Sequence, residues 1–371
     1  MLKVISTPKE KEKPLVNKIN YPFVDFIRFI SMIGIVWAHI PFFEQNETVT
    51  NILNKIDYPM IYLSFMQIFK FGVICFYLIS GFLIGENLKN ISPLSYFKRR
   101  LRTIGKPYIV VLVIFEIFTL ISHFYIGKNT FSISAALDIL KWSMFYSPLW
   151  FIPNYLLAFG IILLFYKYIR SKVFGLILFV IMVIYSIFLV YIPAYAMSHT
   201  TALFGFVFYL WLGIFIRQNN LIEKILRINI NVLILITLAL FSISIIESYQ
   251  LYRNNFTTVF NILRFSNQLY SISVFALLIK ICNTPPKFHF LNPRKETYGI
   301  YLYHGFITSF LIPIIIGFID QYFDVTVHYW YDYRISSFIL LFLSFFIFCY
   351  VSTTLFVKLL LNYDIGYLNR S

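Results

Sequence analysis

Ten long apolar runs, separated by short polar segments, dominate this sequence of 371 residues. A helix needs roughly 20 apolar residues to cross the hydrocarbon core of a bilayer, and each run is close to that length. A soluble domain could not cover itself with polar surface here, because 59% of the residues are hydrophobic and only 13% are charged. The runs therefore predict an all-α, polytopic membrane helix bundle with about ten spans, at residues 21–41, 60–84, 107–126, 149–166, 173–193, 200–216, 230–248, 259–282, 298–319 and 335–361.

The distribution of Lys and Arg predicts how these spans are oriented. Basic residues are concentrated in alternate loops, at 89–106, 167–172, 217–227 and 287–295, and the loops between them contain few. Since cytoplasmic loops carry such an excess, we expect a cytoplasmic basic tail at 1–20, a transmembrane domain at 21–361 and a short cytoplasmic tail at 362–371. The same arrangement accounts for the net charge of +15, so nucleic acid is not an expected partner.

The cysteines and the first apolar run narrow the class of protein further. Cys75, Cys282 and Cys349 lie inside apolar runs and lack the spacing of a disulfide framework or a zinc site, so we expect no metal. The first run is of full spanning length, contains Arg28 and is not followed by a small-residue cleavage site, which argues against a removable signal peptide. We therefore expect the mature protein to keep its first helix.

The first run is unusual because it contains Asp25, Arg28 and His39. Ionisable residues are costly in lipid and normally face a bundle interior or a wet cavity. At about 100° and 1.5 Å per residue, Arg28 and His39 lie on one stripe of the helix about 16 Å apart. Asp25, one turn before Arg28, could hold that arginine in an ion pair. The pattern predicts a functional face with a cation near the cytoplasm and an imidazole farther along.

Five short motifs in a fixed order resemble the membrane acyltransferase 3 family, whose bacterial members modify surface glycans and other carbohydrates. The resemblance extends over about residues 21–360. It implies a multi-pass protein of the bacterial cytoplasmic membrane that moves an acyl group, by default acetyl, from cytoplasmic acetyl-CoA to a hydroxyl of a cell-envelope carbohydrate. The motifs are Arg28 with His39 eleven positions later, Ile79-Ser-Gly-Phe82, Arg99 with Arg102 before Pro107, Leu149-Trp150-Phe151, and Tyr298-Gly-Ile-Tyr-Leu-Tyr-His304.

The resemblance and the predicted orientation together put a donor site at the cytoplasmic face. Arg28, Arg99 and Arg102 are expected to bind the phosphates of the donor, since guanidinium groups bind phosphate in a bidentate way. Ser80 and Gly81 are expected beside it, because glycine allows a close backbone approach. Three alternatives stay open: Arg28 could extend to the interface, the arginine pair could serve topology alone, and Ser80 with Gly81 could be a helix-packing pair.

His39 is the predicted catalytic residue. Its imidazole could accept a proton from the acceptor hydroxyl, or it could carry the acyl group covalently, and the sequence does not decide between the two. The structural alternative is a histidine that caps or packs against a helix end.

Further polar residues are candidates for contact with the acceptor, a carbohydrate or lipid-linked glycan presented beside membrane lipid. Thr297, Tyr301, His304 and Thr308 form a polar stripe that predicts a cavity-lining face or a helix contact. A second stripe in the outer half could line a pocket or could consist of buried pairs that fix helix register. The full set of substrate-binding candidates is Asp25, Lys70, Trp150, Arg264, Tyr301 and His304.

Two other functions are compatible with ionisable residues inside the membrane. A transporter or flippase of glycan intermediates would use them along a substrate or proton path. A membrane anchor or sensor would use them to recognise partners. The sequence lacks an internal repeat and paired interrupted spans, which argues against the first, and it lacks an attached soluble module, which argues against the second.

Overall fold

The structure is a computed structural model that describes residues 21–40, 53, 58–88, 92–127, 132–282, 292–323 and 335–363. The predicted tail at 1–20 and most of the tail at 362–371 lie outside these residues. The described part is helical, with α-helices numbered here in chain order: α1 (Pro22–Ala38), α2 (Pro59–Gln67), α3 (Gly72–Asn87), α4 (Pro93–Arg100), α5 (Lys106–Leu120), α6 (Ile133–Phe145), α7 (Phe151–Leu164), α8 (Lys172–Ser186), α9 (Leu203–Gln218), α10 (Leu221–Arg227), α11 (Ile230–Arg253), α12 (Phe265–Ile281), α13 (Pro293–Phe306), α14 (Ile312–Phe323) and α15 (Ile335–Asn362).

The helical segments confirm the predicted polytopic membrane fold. Each of the ten predicted spans coincides with a helical segment of the described chain, and α1, α7, α9 and α12 are the shorter members of the set. Helices α4, α6 and α10 lie in segments that the sequence analysis treated as loops. The segments that are long and apolar enough to cross a membrane are Pro59–Asn87, Pro93–Phe124, Lys172–Tyr191, Ile230–Arg253, Pro293–Ile319 and Ile335–Asn362.

Local sequence signals explain where many of these helices begin. Proline occupies the first turn of α1, α2, α4 and α13, where its missing N–H would have no intrahelical partner. Side-chain caps serve α6, α8 and α13: Ser132 accepts a hydrogen bond from the N–H of Ala135, Ser171 from that of Phe174, and Asn292 from that of Lys295. The local sequence therefore determines where these helices begin.

Two glycine contacts hold the centre of the bundle together. A methyl group at Gly81 of α3 would lie 2.1 Å from the carbonyl oxygen of Leu210 in α9, and one at Gly213 of α9 would lie 2.1 Å from that of Leu78. Small residues permit this close approach of membrane helices. Gly34 of α1 packs in the same way against the turn between α2 and α3. Helices α1, α3 and α9 thus form one tightly packed unit.

Helices α1 and α13 run side by side in the same direction, and their relation positions the candidate site. Near their beginnings Arg294 of α13 contacts Asp25 of α1, with Nη2 and Oδ2 3.3 Å apart. Near their ends His304 contacts His39, the residue that follows α1. A π-helical turn, Ile307–Leu311, continues α13 directly after this contact. Such turns are frequent at functional sites because they redirect neighbouring side chains.

Candidate active site

A cavity that is partly open to solvent lies beside α1 and α13, with about 710 Å³ of empty space when the adjoining open solvent is included. Helices α3, α4 and α7 supply the rest of its described lining. One end holds Arg28, Arg100 and Arg294, and the described lining contains no carboxylate. Ile35 and Tyr301 also line it, each seven residues, or about two helical turns, beyond Arg28 and Arg294 along their helices. The cavity therefore runs along the two parallel helices from a basic end to an aromatic and aliphatic end.

Asp25 fixes two of the arginines at the basic end. Its Oδ1 lies 3.1 Å from Nη1 of Arg28, and its Oδ2 lies 3.3 Å from Nη2 of Arg294. The Arg28 side chain is 17% exposed, whereas that of Arg294 is 51% exposed. Arg28 is thus held inside the entrance and Arg294 stands at its rim. Two cations on one carboxylate leave positive charge for an anionic ligand.

Arg100 is the third cation, and Tyr96 orients it. Its Nε donates a hydrogen bond to the Tyr96 hydroxyl at 3.0 Å, and the guanidinium lies 5.3 Å from the centre of the same ring. The two residues are four apart on α4, so they share one face of that helix. Its two terminal nitrogens have no hydrogen-bond partner among the described residues, so they are available to a ligand in the cavity.

The Tyr301 hydroxyl faces the start of α7 from the other end of the cavity. It accepts a hydrogen bond from the N–H of Phe151 at 3.1 Å. This N–H belongs to the first residue of α7 and lacks a partner within the helix. Because the tyrosine oxygen acts here as acceptor, its own proton remains available to donate. The ring of Tyr301 also contacts that of His304, with centroids 5.8 Å apart.

His39 and His304 lie just beyond Ile35 and Tyr301, and backbone carbonyls fix the tautomer of both. Nδ1 of His39 is 2.8 Å from the Ile35 oxygen, and Nδ1 of His304 is 2.7 Å from the Tyr301 oxygen. A carbonyl can only accept, so both Nδ1 atoms must carry the proton. Nε2 of His304 then presents its lone pair to Nδ1–H of His39, at 3.4 Å. Among the described residues no group bonds Nε2 of His39, which therefore keeps a lone pair.

Three side chains from other elements surround His39 at the end of α1 opposite Arg28. One is His199, which belongs to the short 3₁₀ segment His199–Thr201, and another is Lys70, which lies between α2 and α3. The charge of Lys70 acts on both His39 and His199. Trp150 is buried and meets the His199 ring edge-on, with centroids 5.5 Å apart. The predicted residues His39, Lys70, Trp150 and His304 therefore form one cluster, together with His199, which the sequence analysis missed because it belongs to no recognised motif.

The remaining donor-site candidates separate into two groups. Ser80 lines the cavity beside Arg28, whereas Gly81 lies at the contact between α3 and α9. Arg99 is exposed and donates a hydrogen bond to Oδ1 of Asn87 at 3.2 Å, and Arg102 is exposed on the π-helical turn Leu101–Gly105. Neither belongs to the described lining of the cavity. The arginine of this segment that does line the cavity is Arg100. Its spacing of four residues from Tyr96 could have indicated that the two side chains share one face of α4.

Arg264, the remaining acceptor candidate, lies in a buried polar network away from the cavity. It is 0% exposed and donates hydrogen bonds to the Ser244 oxygen at 2.8 Å and to Oε1 of Gln67 at 2.6 Å. It also bonds Ser248 and lies 3.9 Å from a carboxylate oxygen of Glu247. This geometry matches the alternative of buried pairs that fix the register of α2, α11 and α12.

Comparison with known proteins gives one finding. A family model described as an acyltransferase domain matches residues 21–361. No curated protein and no solved structure gives a match. The matched range includes every helix that lines the cavity and both histidines of the pair.

Proposed function

Because the chain belongs to the acyltransferase 3 family and is therefore a membrane acyltransferase, we propose that it moves an acetyl group from cytoplasmic acetyl-CoA to a hydroxyl of a cell-envelope carbohydrate. The single observation that carries the proposal is the cavity that extends from three arginines to Ile35, whose carbonyl oxygen bonds His39. His39 itself lies next to the described lining and is not part of it. The enclosing membrane is, in this proposal, the bacterial cytoplasmic membrane.

The charges at the basic end support a phosphate-bearing donor. Coenzyme A carries a nucleotide with several phosphate groups, and three guanidinium groups without a carboxylate in the described lining match that charge. Asp25 would keep Arg28 and Arg294 in position rather than bind the donor. With the phosphates held there, the pantetheine arm would follow α1 for the ~16 Å that separate Arg28 from His39.

His39 would act through Nε2, the ring nitrogen without a partner. In a direct transfer, Nε2 accepts the proton of the acceptor hydroxyl while its oxygen attacks the thioester carbonyl. A C–O bond forms, the C–S bond breaks, and the imidazolium returns the proton to the leaving thiolate. In the covalent alternative, Nε2 attacks the thioester carbonyl, so a C–N bond forms and the C–S bond breaks to release the thiolate. The acceptor oxygen then forms a C–O bond as the C–N bond breaks, and the hydroxyl proton passes to the thiolate. The Nδ1–H bond to Ile35 favours a lone pair on Nε2 in both cases.

The decisive experiment measures transfer by the purified protein in detergent. Labelled acetyl-CoA and extracted surface polysaccharide should yield free coenzyme A thiol and base-labile acetyl ester. We expect His39→Gln to lower the rate by at least about 100-fold, since general acid–base groups contribute that much or more. The exposed His123 offers a matched control, and His123→Gln should keep the wild-type rate.

Two outcomes would contradict the proposal. Equal rates in wild type and His39→Gln would remove His39 from the chemistry, and glycan flux across vesicles without acetyl-CoA would favour a transporter. Acid quenching of the protein with labelled acetyl-CoA and no acceptor separates the two catalytic routes. Label bound to the wild type and absent from His39→Gln would support the covalent route.

A further inference from the structure

Among the residues that the structure describes, the Lys70 ammonium has no counter-ion. It lies in the turn between α2 and α3, is half-buried, and places Nζ 5.1 Å from the ring centre of Phe260. In the part of the chain that the structure describes, it makes no ion pair and no hydrogen bond. By contrast, Arg217 pairs with Glu86, Arg264 with Glu247, and Arg28 with Asp25.

A charge without a partner is costly in a low-dielectric environment, and an aromatic ring compensates it only in part. The turn that carries Lys70 is nevertheless tightly fixed. Gly72 and Gly34 pack against each other's backbone, and Gln67 is held by Arg264 and by Asn267. The packed turn thus holds Lys70 at a fixed position, which is what a ligand-binding residue requires.

Lys70 faces the catalytic histidine cluster. The turn that holds Lys70 packs on α1 just before His39: a methyl group at Gly34 would lie 2.7 Å from the Phe69 oxygen, and the ring centroids of Trp37 and Phe69 are 5.0 Å apart. The Lys70 charge accordingly acts on both His39 and His199. They lie at the end of α1 opposite Arg28, and neither Lys70 nor His199 belongs to the described lining of the donor cavity. An acceptor approaching Nε2 of His39 from that end would meet both.

The segment that carries His199 is anchored from two sides. Asn154 of α7 donates a hydrogen bond to the Thr200 oxygen at 3.2 Å, and Tyr77 of α3 donates to the same asparagine at 3.2 Å. Trp150, next to the start of α7, contacts the His199 ring. Trp150 is buried and supports the His199 imidazole, and this partly exposed ring offers a polar edge to a sugar.

We propose that Lys70, His199 and Trp150 form an acceptor subsite beside His39 that selects carbohydrates bearing an anionic group, a carboxylate or a phosphate. This inference rests on the proposed function and specifies the acceptor class of that site. Lys70 binds the anion, Trp150 and His199 support the ring, and the hydroxyl to be acylated faces Nε2 of His39.

The test measures ligand binding by thermal stabilisation of the full chain in neutral detergent with coenzyme A present. The probes are methyl glucuronide, glucose 1-phosphate and the neutral methyl glucoside. We expect at least one anionic probe to bind roughly tenfold or more tighter than the glucoside, the effect typical of a charge-assisted hydrogen bond. Lys70→Met should remove this difference, Lys70→Arg should keep it, and Lys141→Met, at an exposed lysine of α6, should behave as wild type.

Each remaining outcome decides against the inference. Equal binding of all three probes, or an anion preference that persists in Lys70→Met, would overturn it. Stabilisation by anionic phosphatidylglycerol alone, lost in Lys70→Met and without response to the sugars, would identify Lys70 as a lipid contact. Thiol release from acetyl-CoA with any acceptor reports the proposed function separately, so an enzyme that transfers acetyl without anion preference would refute only this inference.

Discussion

Of the three arginines at positions 99, 100 and 102, only Arg100 lines the donor cavity. Successive residues of a helix point about 100° apart, so neighbours in the chain face different surroundings. Arg100 shares a face with Tyr96, which holds its Nε, while Arg99 bonds Asn87 at the surface. The recognised motif therefore lies in the segment that lines the cavity, but the guanidinium in the described lining belongs to Arg100.

This difference gives a prediction with a matched pair of variants. Arg100→Met should raise the KM for acetyl-CoA by about tenfold or more, the usual size of a lost charge-assisted contact, and should leave kcat within about twofold. Arg102→Met removes the same charge from the exposed turn two residues away and should change neither value. Initial rates at varied acetyl-CoA measure both. An equal increase in KM for the two variants would show that charge at this face, rather than the cavity contact, matters.

His304 supports a second prediction at the same scale. Its Nε2 accepts from Nδ1–H of His39, so it acts as a positioning residue that steadies the ring carrying the free lone pair. His304→Gln should lower kcat about tenfold and keep the KM for acetyl-CoA, since a positioning residue contributes less than the roughly 100-fold or more of a general acid or base. A parallel rise of KM, or a lost thermal transition, would instead point to a role in packing.

At the level of helices, the close contact between α3 and α9 explains why Ser80 and Gly81 have separate roles. Ser80 faces the cavity, and Gly81 faces the backbone of α9. The helix thus has one side toward the cavity and another in the packing contact. The structural interpretation applies to Gly81, and ligand contact at Ser80 stays a prediction.

The packing role is tested by adding one methyl group. Gly81→Ala places Cβ 2.1 Å from a backbone oxygen, so the helices must separate, and overpacking of this kind costs about 1–3 kcal/mol. Gly160→Ala in α7 is the control, because nothing lies within 4 Å of its added Cβ. It should be neutral or stabilising, since alanine favours a helix by up to about 1 kcal/mol over glycine. Thermal midpoints in detergent compare them, and equal midpoints would contradict the contact.

For the whole molecule, the proposed function implies that donor and acceptor approach His39 from opposite ends of α1. The arginines of the donor cavity lie near the start of α1, and Lys70 and His199 lie near its end. The acetyl group would then pass from donor to acceptor at His39 and would not have to move farther through the membrane. The basic loops predict that the arginine end is cytoplasmic.

Cysteine labelling in intact bacteria tests this orientation. A membrane-impermeant maleimide should label Lys141→Cys in α6 and should label Lys98→Cys in α4 only after the cells are opened. Both lysines are exposed, and the three native cysteines are buried, so the background should be low. Labelling of Lys98→Cys in intact cells would invert the predicted topology and place the arginines outside.

The sequence by itself determined the spans, their alternating loop charge and the shared stripe of Arg28 and His39, because lipid exposure demands apolar side chains within each segment and a single helix fixes the stripe. The tertiary structure decided which arginine enters the cavity, which glycine packs, and that Arg264 is buried in a network. It also brought His304 to His39 across 265 positions of the chain. Such contacts depend on how helices pack against one another, and local hydrophobic patterns do not specify that packing.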